Sequence, residues 1–506
     1  MTAPRTASPD SPPSAGAGPA PELPKVLGVL DGLALTLSNI SPTMSVGIGL
    51  GIIGSAVGLG IPAAFLLACL PILGIAVAYT RLNRVERNCG AAYVWVGRRI
   101  GPLPGYLIGW VIVSTNIIFI AYAVPLAGQY AFYALDAFGL HRLGGFDLGA
   151  AHPVSAFLVG VVITAGLTGL AVAGVDLAAR FQRAFVTAEF AVVIVLCVLA
   201  VTKGRAASFS LSWFSPTVFS SPSVMATGVL LSVYMYWGWE TAFSVTEENA
   251  DARTSARVGM GSLVAVIGLF LFAAVAFQRA LTPQELAAHG DNGLPFLGDL
   301  VAGRTGQAVA TTTLLLSIVS CIQSVLIGTA RQTLAMSRDG VMGTGWSRLH
   351  PRRGTPHIAT VRTAVLAVVI AAVSIELGNV QEIVVGSVTA VGMLVSMYYA
   401  LAGAACALTF RQEARTDPRT LVVAVLVPLL SGAVLLALGV YMAWSQWTST
   451  DHFAFSASNG RFLTVLPLVI LLIGLPLAAW NRYRRKAPYF TARALATTAD
   501  PLDPRR

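Results

Sequence analysis

The sequence predicts an all-α polytopic membrane protein of twelve transmembrane helices. Three observations predict it. Only 11% of the 506 residues are charged while 55% are hydrophobic, with a mean hydropathy of +0.73; a soluble domain carries about 25% charged residues. Twelve apolar segments follow one another, each close to the ~20 residues that cross a bilayer. The basic residues alternate in sidedness: only Arg142, Lys203, Arg205, Arg279, Arg304 and Arg461 fall opposite the N-terminus, leaving 27 of the 33 Lys and Arg on its side. Cytoplasmic loops carry this excess of positive charge, so both termini are expected inside and the number of spans is expected to be even.

The segments run approximately over 32–54, 59–80, 103–133, 154–174, 181–202, 223–246, 258–280, 306–333, 358–377, 383–410, 421–445 and 462–481. The third, eighth and tenth exceed the bilayer thickness and are expected to tilt or project. The charged, aromatic stretch 81–110 is amphipathic enough to dip into the interface. In the loop 281–304, Thr282-Pro283 with Glu285 in the following turn predicts short helices, in the position of a lid. Residues 1–27 and 486–506 read as disordered cytoplasmic tails around a twelve-helix domain over 28–485. Within it, repeat one is expected over about 28–203, repeat two over about 220–412 and two further helices over about 419–483.

Several function classes are excluded at this level. The net charge of +10 is dispersed between apolar runs rather than gathered in a patch, which argues against nucleic acid. The five cysteines have no metal-binding or disulfide spacing, and four lie in apolar runs as packing residues. The six histidines fall in loops with no HExxH, so no metal, cofactor or hydrolytic centre is expected. A membrane enzyme would need clustered nucleophiles and bases, and none is seen.

The first segment carries "SNISPTMSVGIG" (38–49) at mid-depth. A proline inside a helix removes one hydrogen bond and clashes with the preceding turn, at about 3 kcal/mol. One reading is a kinked helix whose hydroxyls bond back to their own carbonyls. The other is a discontinuous helix whose bare amides and carbonyls line a cavity. The sixth segment, "SVYMYWGWETAFSVTEEN" (232–249), is also interrupted near its middle, at Gly238 with Glu240 just beyond. Interruptions at corresponding positions of two five-segment halves point to a transport site at an inverted-repeat interface. A half-helix starting at a break offers free N–H groups and a positive dipole end to a carboxylate, and one ending there offers carbonyls to an ammonium. The expected substrate site is therefore Asn39, Ser41, Pro42, Thr43, Met44 and Ser45 with Tyr234, Trp237, Gly238 and Trp239. The three residues Ser114, Thr115 and Asn116 are polar at mid-membrane, and Asn116 is the candidate from the third segment.

These residues resemble the amino acid–polyamine–organocation permeases, with their leucine-transporter type of inverted-repeat fold. "NISPTMSV" (39–46) stands where that family has a glycine-rich break. "NCGAAYVWVGRRIGPLPGYLIGW" (88–110), "WGWETAFSVTEENADARTSAR" (237–257) and "ARQTLAMSRDGVMG" (330–343) resemble three further family stretches in the same order. The resemblance implies secondary active transport of an amino acid or amine by alternating access across the plasma membrane. The first break departs from the family by having Ser41-Pro42-Thr43 in place of glycines, which makes an amine or an unusually shaped amino acid more plausible.

Two buried acids are candidates for proton coupling. Glu189 lies about nine residues into the fifth segment, and an ionisable residue at that depth is a functional candidate by default. The resemblance places it where some proton-coupled members carry a lysine; a structural hydrogen bond to a neighbouring helix is the alternative. Glu240 corresponds to an acid that braces the broken helix, with amine contact and proton handling as alternatives. Ser317, Ser320 and Ser324 recur at helical spacing and are expected to face the first span, where sodium-coupled relatives bind their ion; with Glu189 nearby, protons are favoured over sodium. Tyr234 is the candidate occluding aromatic, and an aromatic wall for an amine is the alternative to plain packing. Glu247 and Glu248 are expected to pair with Arg253 or Arg257. The reading is a permease for a small amino acid or amine, with an exchanger, a channel or a transporter-like sensor as rivals.

Overall fold

The computed structural model describes residues 23–143, 146–147, 152–204, 206–289, 292–378 and 380–491. Its first segment is not one helix. α1 (Val29–Ile40) ends at Ser41, which takes a left-handed φ of 53° and ψ of 66°. The chain restarts as α2 (Pro42–Met44), widens into a π-turn over Ser45–Gly49 and continues as α3 (Leu50–Val57). Pro42 thus opens the second half-helix, where its missing N–H would have had no intrahelical partner anyway. Gly58, at φ 56°, turns the chain into α4 (Ile61–Val85).

After α4 come a short α5 (Ala92–Arg99), the long α6 (Pro102–Ala137), a two-residue ladder of β1 (Arg142–Leu143) with β2 (Phe146–Asp147), α7 (Pro153–Ala173) and α8 (Val175–Lys203). α9 (Pro222–Met235) then stops, and turns lead through Gly238 (φ 108°) to α10 (Thr241–Ser244). α11 (Ala252–Ala280), α12 (Pro283–Ala288), α13 (Gly293–Arg338) and α14 (His357–Ser374) follow. α15 (Val380–Phe410), α16 (Pro418–Thr420) running into α17 (Val427–Thr448), and α18 (Gly460–Ala479) complete the chain.

Among the described residues, ten helical runs are long and apolar enough to cross a membrane. The difference from the twelve expected segments has two sources. Val29–Val85 counts as one run although Gly58 turns it back, and the sixth segment is cut into the short α9 and α10. The helix of the eighth segment starts earlier than expected, within the loop 281–304: α13 bends at Gly303 (φ 63°), and the rod beyond the bend holds the whole of 306–333.

Burial separates inside from outside. The apolar stretch of α13 is 83% buried and that of α15 78%, against 28% for α17, which turns Leu430 and Val440 outward. α6 packs on α7, α13, α14 and α15, and α1 on α8, α11 and α13. The two breaks therefore lie inside the bundle, where protein rather than lipid meets their backbone.

Three expectations change. α5 does not dip into an interface: its residues Ala92 to Gly97 are buried, because Tyr93 and Trp95 find partners in Tyr489 and Tyr79. Of the proposed tails, residues 1–22 and 492–506 lie outside the described residues. The stretches beside them pack on the body through Leu23, Leu27, Ala487 and Tyr489, which supply the apolar surface for it. Leu27 bridges Asn249, and the Tyr489 amide donates to the Asp339 carbonyl, so the first and last described stretches lie at one end of the bundle.

Candidate functional site

The two interruptions meet. A Cβ added to Gly238 would come within about 3 Å of the Asn39 carbonyl carbon and oxygen and the Ile40 amide nitrogen, so only a glycine lets the backbones approach so closely. The Asn39 side-chain amide donates to the Thr241 hydroxyl, joining the two breaks directly.

The bare start of the second half-helix points at α13. The Met44 amide donates to the Ser317 hydroxyl (3.3 Å), and the Ser41 hydroxyl lies 2.9 Å from it. Ser317 in turn donates to Glu189 Oε2 (2.6 Å), and Ser320 donates to Oε1 (3.0 Å). The Thr43 amide and hydroxyl face the same carboxylate, although the hydroxyl makes no hydrogen bond of standard geometry. One turn further along α13, Ser324 donates to the Leu35 carbonyl (2.6 Å), and the Cys321 thiol donates to that of Asn39 (3.1 Å). Glu189 is fully buried, and no cation pairs with it among the described residues. The dipole end expected to greet a solute's carboxylate is thus already faced by the protein's own.

Glu240 is held differently. Tyr398 and Tyr399 donate to its two oxygens (2.7 and 2.8 Å), and the Gly238 amide adds a third bond (3.2 Å). Three donors thus tie it to α15 and to the break itself. Trp237 donates to Tyr398 (2.6 Å) and stacks on Tyr234.

Beside the first break lies a cavity of about 30 Å³, lined by Met44, Ser45, Ile48, Tyr122, Tyr234 and Val388 among others. It has room for a water rather than an amino acid. Tyr234 and Tyr122 close one side with a hydroxyl pair at 2.6 Å. Met44, Ser45 and Tyr234 therefore line the hollow, while Asn39, Ser41, Pro42, Thr43 and Gly238 shape the backbone beside it. Trp239 is not there: it is buried against Tyr79, Phe243 and Tyr399. Asn116 is half-buried and outside the lining; Tyr122, two turns on, takes its place. Sequence reasoning missed Tyr122, Val384 and Val388, which look like any residues of an apolar run.

At the end holding the chain termini the structure is sealed. Arg331 and Glu248, each 1% exposed, form a two-pronged pair (both contacts 2.8 Å). Arg338 pairs with Glu247 (2.7 Å), and the Cys89 amide donates to the other Glu247 oxygen. The expected partners Arg253 and Arg257 are not used. They sit on the exposed side of α11, whereas the acids turn toward α13. Arg87 clamps the Thr246 and Asn249 carbonyls, and the Val26 and Leu27 amides donate to that of Glu248.

Comparison with known proteins agrees with this geometry. The sequence profile of the family described as "Amino acid permease" matches residues 27–475. The "Methylthioribose transporter" of Bacillus subtilis is 26% identical over 70% of this chain and 77% of its own. The "Low-affinity putrescine importer PlaP" of Escherichia coli is 24% identical over 68% and 74%, and the human "Large neutral amino acids transporter small subunit 2" 23% identical over 86% and 79%. The chain is a multi-pass membrane transporter of small organic molecules. With its family pattern running nearly end to end and its two broken helices meeting inside the bundle, it belongs to the amino acid permeases of the amino acid–polyamine–organocation superfamily.

Proposed function

We propose that the chain is a proton-coupled secondary transporter of a small amine or amino acid, working by alternating access in the plasma membrane with both termini cytoplasmic. The observation that carries this reading is the Glu189 carboxylate, tied through Ser317 to the open start of the second half of span one. With Glu189 ionised, the amides and hydroxyls around Thr43 serve the protein's own carboxylate. With Glu189 protonated they are released, and the break can rearrange around a solute. Proton state and break geometry are thereby one equilibrium.

Protons are favoured over sodium because Ser317 gives its hydrogen to Glu189 while its oxygen already accepts from the Met44 amide, with the Ser41 hydroxyl 2.9 Å away, so its lone pairs are engaged where a sodium ion would need them. The walls support a solute with an aliphatic body: Met44, Ile48, Val384 and Val388 are apolar, and the faces of Tyr122 and Tyr234 suit an ammonium. That some relatives carry putrescine or amino acids in their names agrees with this class. Glu240 acts as the hinge brace, and the Arg331–Glu248 and Arg338–Glu247 pairs hold the cytoplasmic side shut.

The test is uptake into proteoliposomes of candidate amines and amino acids, with an imposed pH gradient, a sodium gradient or neither. Accumulation is expected with the pH gradient alone. Accumulation driven only by sodium, or uptake requiring a counter-solute inside and indifferent to both gradients, contradicts the proposal.

A further inference from the structure

Between the ends of α4 and α11 nearest the chain termini lies a groove of about 810 Å³, lined by Thr80, Arg84, Asp251, Arg253, Arg257 and Met260 among others. All three arginines are exposed, and none has a carboxylate within 4 Å among the described residues. Acids near them in sequence are engaged elsewhere, Glu86 by Arg98, Glu247 by Arg338 and Glu248 by Arg331. Asp251 borders the groove, but its Oδ1 caps α11, accepting from the Thr254 amide (2.7 Å) and hydroxyl (2.8 Å). The Thr80 hydroxyl is buried without a partner. The groove thus gathers three cations and an unanswered hydroxyl against one occupied acid.

Beyond the arginines both walls become apolar. On α11 the exposed stripe of Arg253 and Arg257 continues through Gly261, Val264 and Gly268. A Cβ at Gly268 would meet nothing within 4 Å, so the wall is bare there. On α4, Arg84 is followed toward mid-helix by Val77, Leu73 and Leu70, the last 65% exposed. A basic mouth on an outward-facing aliphatic trough has the profile of a lipid: guanidinium groups for a phosphate, hydrocarbon for a chain.

We propose that this groove is a binding site for an anionic phospholipid of the cytoplasmic leaflet, its phosphate held by Arg84, Arg253 and Arg257 and one acyl chain laid along the trough. The leaflet rests on the orientation given under Proposed function; lipid binding itself is read without any transport measurement. Basic pockets between transmembrane helices at this level are suited to phosphate headgroups.

The experiment uses the full chain in nanodiscs of phosphatidylcholine alone or with phosphatidylglycerol, read by thermal midpoint and by lipids retained in native mass spectrometry. Phosphatidylglycerol is expected to raise the midpoint and to be retained. R84Q/R253Q/R257Q should match the wild type in phosphatidylcholine but bind phosphatidylglycerol about tenfold more weakly or worse, while R482Q/R484Q, on exposed arginines of another helix end, should behave as wild type. If the triple variant does not fold, the three single variants are read by retained lipid, and each should lose part of it. The proposal is overturned if the groove variants retain phosphatidylglycerol normally, or if R482Q/R484Q loses as much. It is also overturned if inorganic phosphate reproduces the shift in phosphatidylcholine alone, which would assign the groove to a soluble anion.

Discussion

Gly238 brings the second break against the first, with the Asn39 carbonyl about 3 Å from where a side chain would begin. Gly238→Ala combines that clash with a φ of 108°, a conformation an alanine rarely adopts. It is expected to lower uptake at least about tenfold and stability by about 1–3 kcal/mol, read by proteoliposome flux and thermal midpoint. Among the described residues, Arg331 and Glu248 form the most deeply buried ion pair. Arg331→Met alone leaves a buried carboxylate unpaired and should destabilise by about 3–5 kcal/mol, whereas Arg331→Met with Glu248→Leu should recover most of that; a double-mutant denaturation cycle checks it. Glu247 adds a pH term. Burial pushes its carboxyl up, but the Arg338 charge and hydrogen bond and the Cys89 amide outweigh burial and hold it below the usual carboxylate range. Its contribution is therefore fully present above about pH 4.3, the ordinary glutamate value, and is lost as pH falls through the lower folded value. Melting of Glu247→Gln against wild type should show a gap at neutral pH that closes in acid; a gap that widens in acid contradicts the sign. These pairs were not legible in the sequence. The nearest basic residues along the chain are Arg253 and Arg257, and nothing local reveals that the acids turn toward arginines more than eighty residues away.

At the scale of elements, the second discontinuity was legible because Gly238 and Glu240 sit in an apolar run, and the first because Pro42 stands among hydroxyls. Both signals are local chemistry, and both elements break where that chemistry predicts. The capping box of α12, Thr282 with Glu285, is legible for the same reason. The burial of α5 was not, because the residues that cover it come from the far end of the chain. Tyr489 stacks on Tyr93 with ring centres 4.9 Å apart, and its hydroxyl sits where side chains on Gly97 or Gly105 would have to be. The two glycines form a slot, and the C-terminal stretch is a latch across α5, α6 and the end of α13. Tyr489→Ala is expected to cost about 3 kcal/mol and to speed proteolysis of residues after 486. Gly97→Val should release the same stretch while leaving Tyr489 intact. If neither changes the cleavage rate, the latch holds nothing.

For the whole molecule, charge sidedness and apolar periodicity are distributed over hundreds of residues, so fold class was the most legible level. The volume of the central hollow was the least legible, because it depends on side chains from α3, α6, α9 and α15 that no short stretch contains. Sidedness is open to test. The five native cysteines are buried, so a membrane-impermeant maleimide should find almost no background; Arg304→Cys should label from outside intact cells and Arg484→Cys only after permeabilisation. With the end that holds the Arg331–Glu248 and Arg338–Glu247 pairs pinned by them and the hollow near 30 Å³, transport requires the breaks to open, and the proposal makes Glu189 the group that couples this opening to a proton. The most direct measurement is solute-induced proton flux, followed by a pH dye inside proteoliposomes, for wild type and Glu189→Gln, with solute counterflow measured on the same vesicles. Acidification on adding solute to wild type, absent in Glu189→Gln while counterflow persists, is the predicted result. Equal acidification by both proteins would remove Glu189 from the coupling and contradict the account.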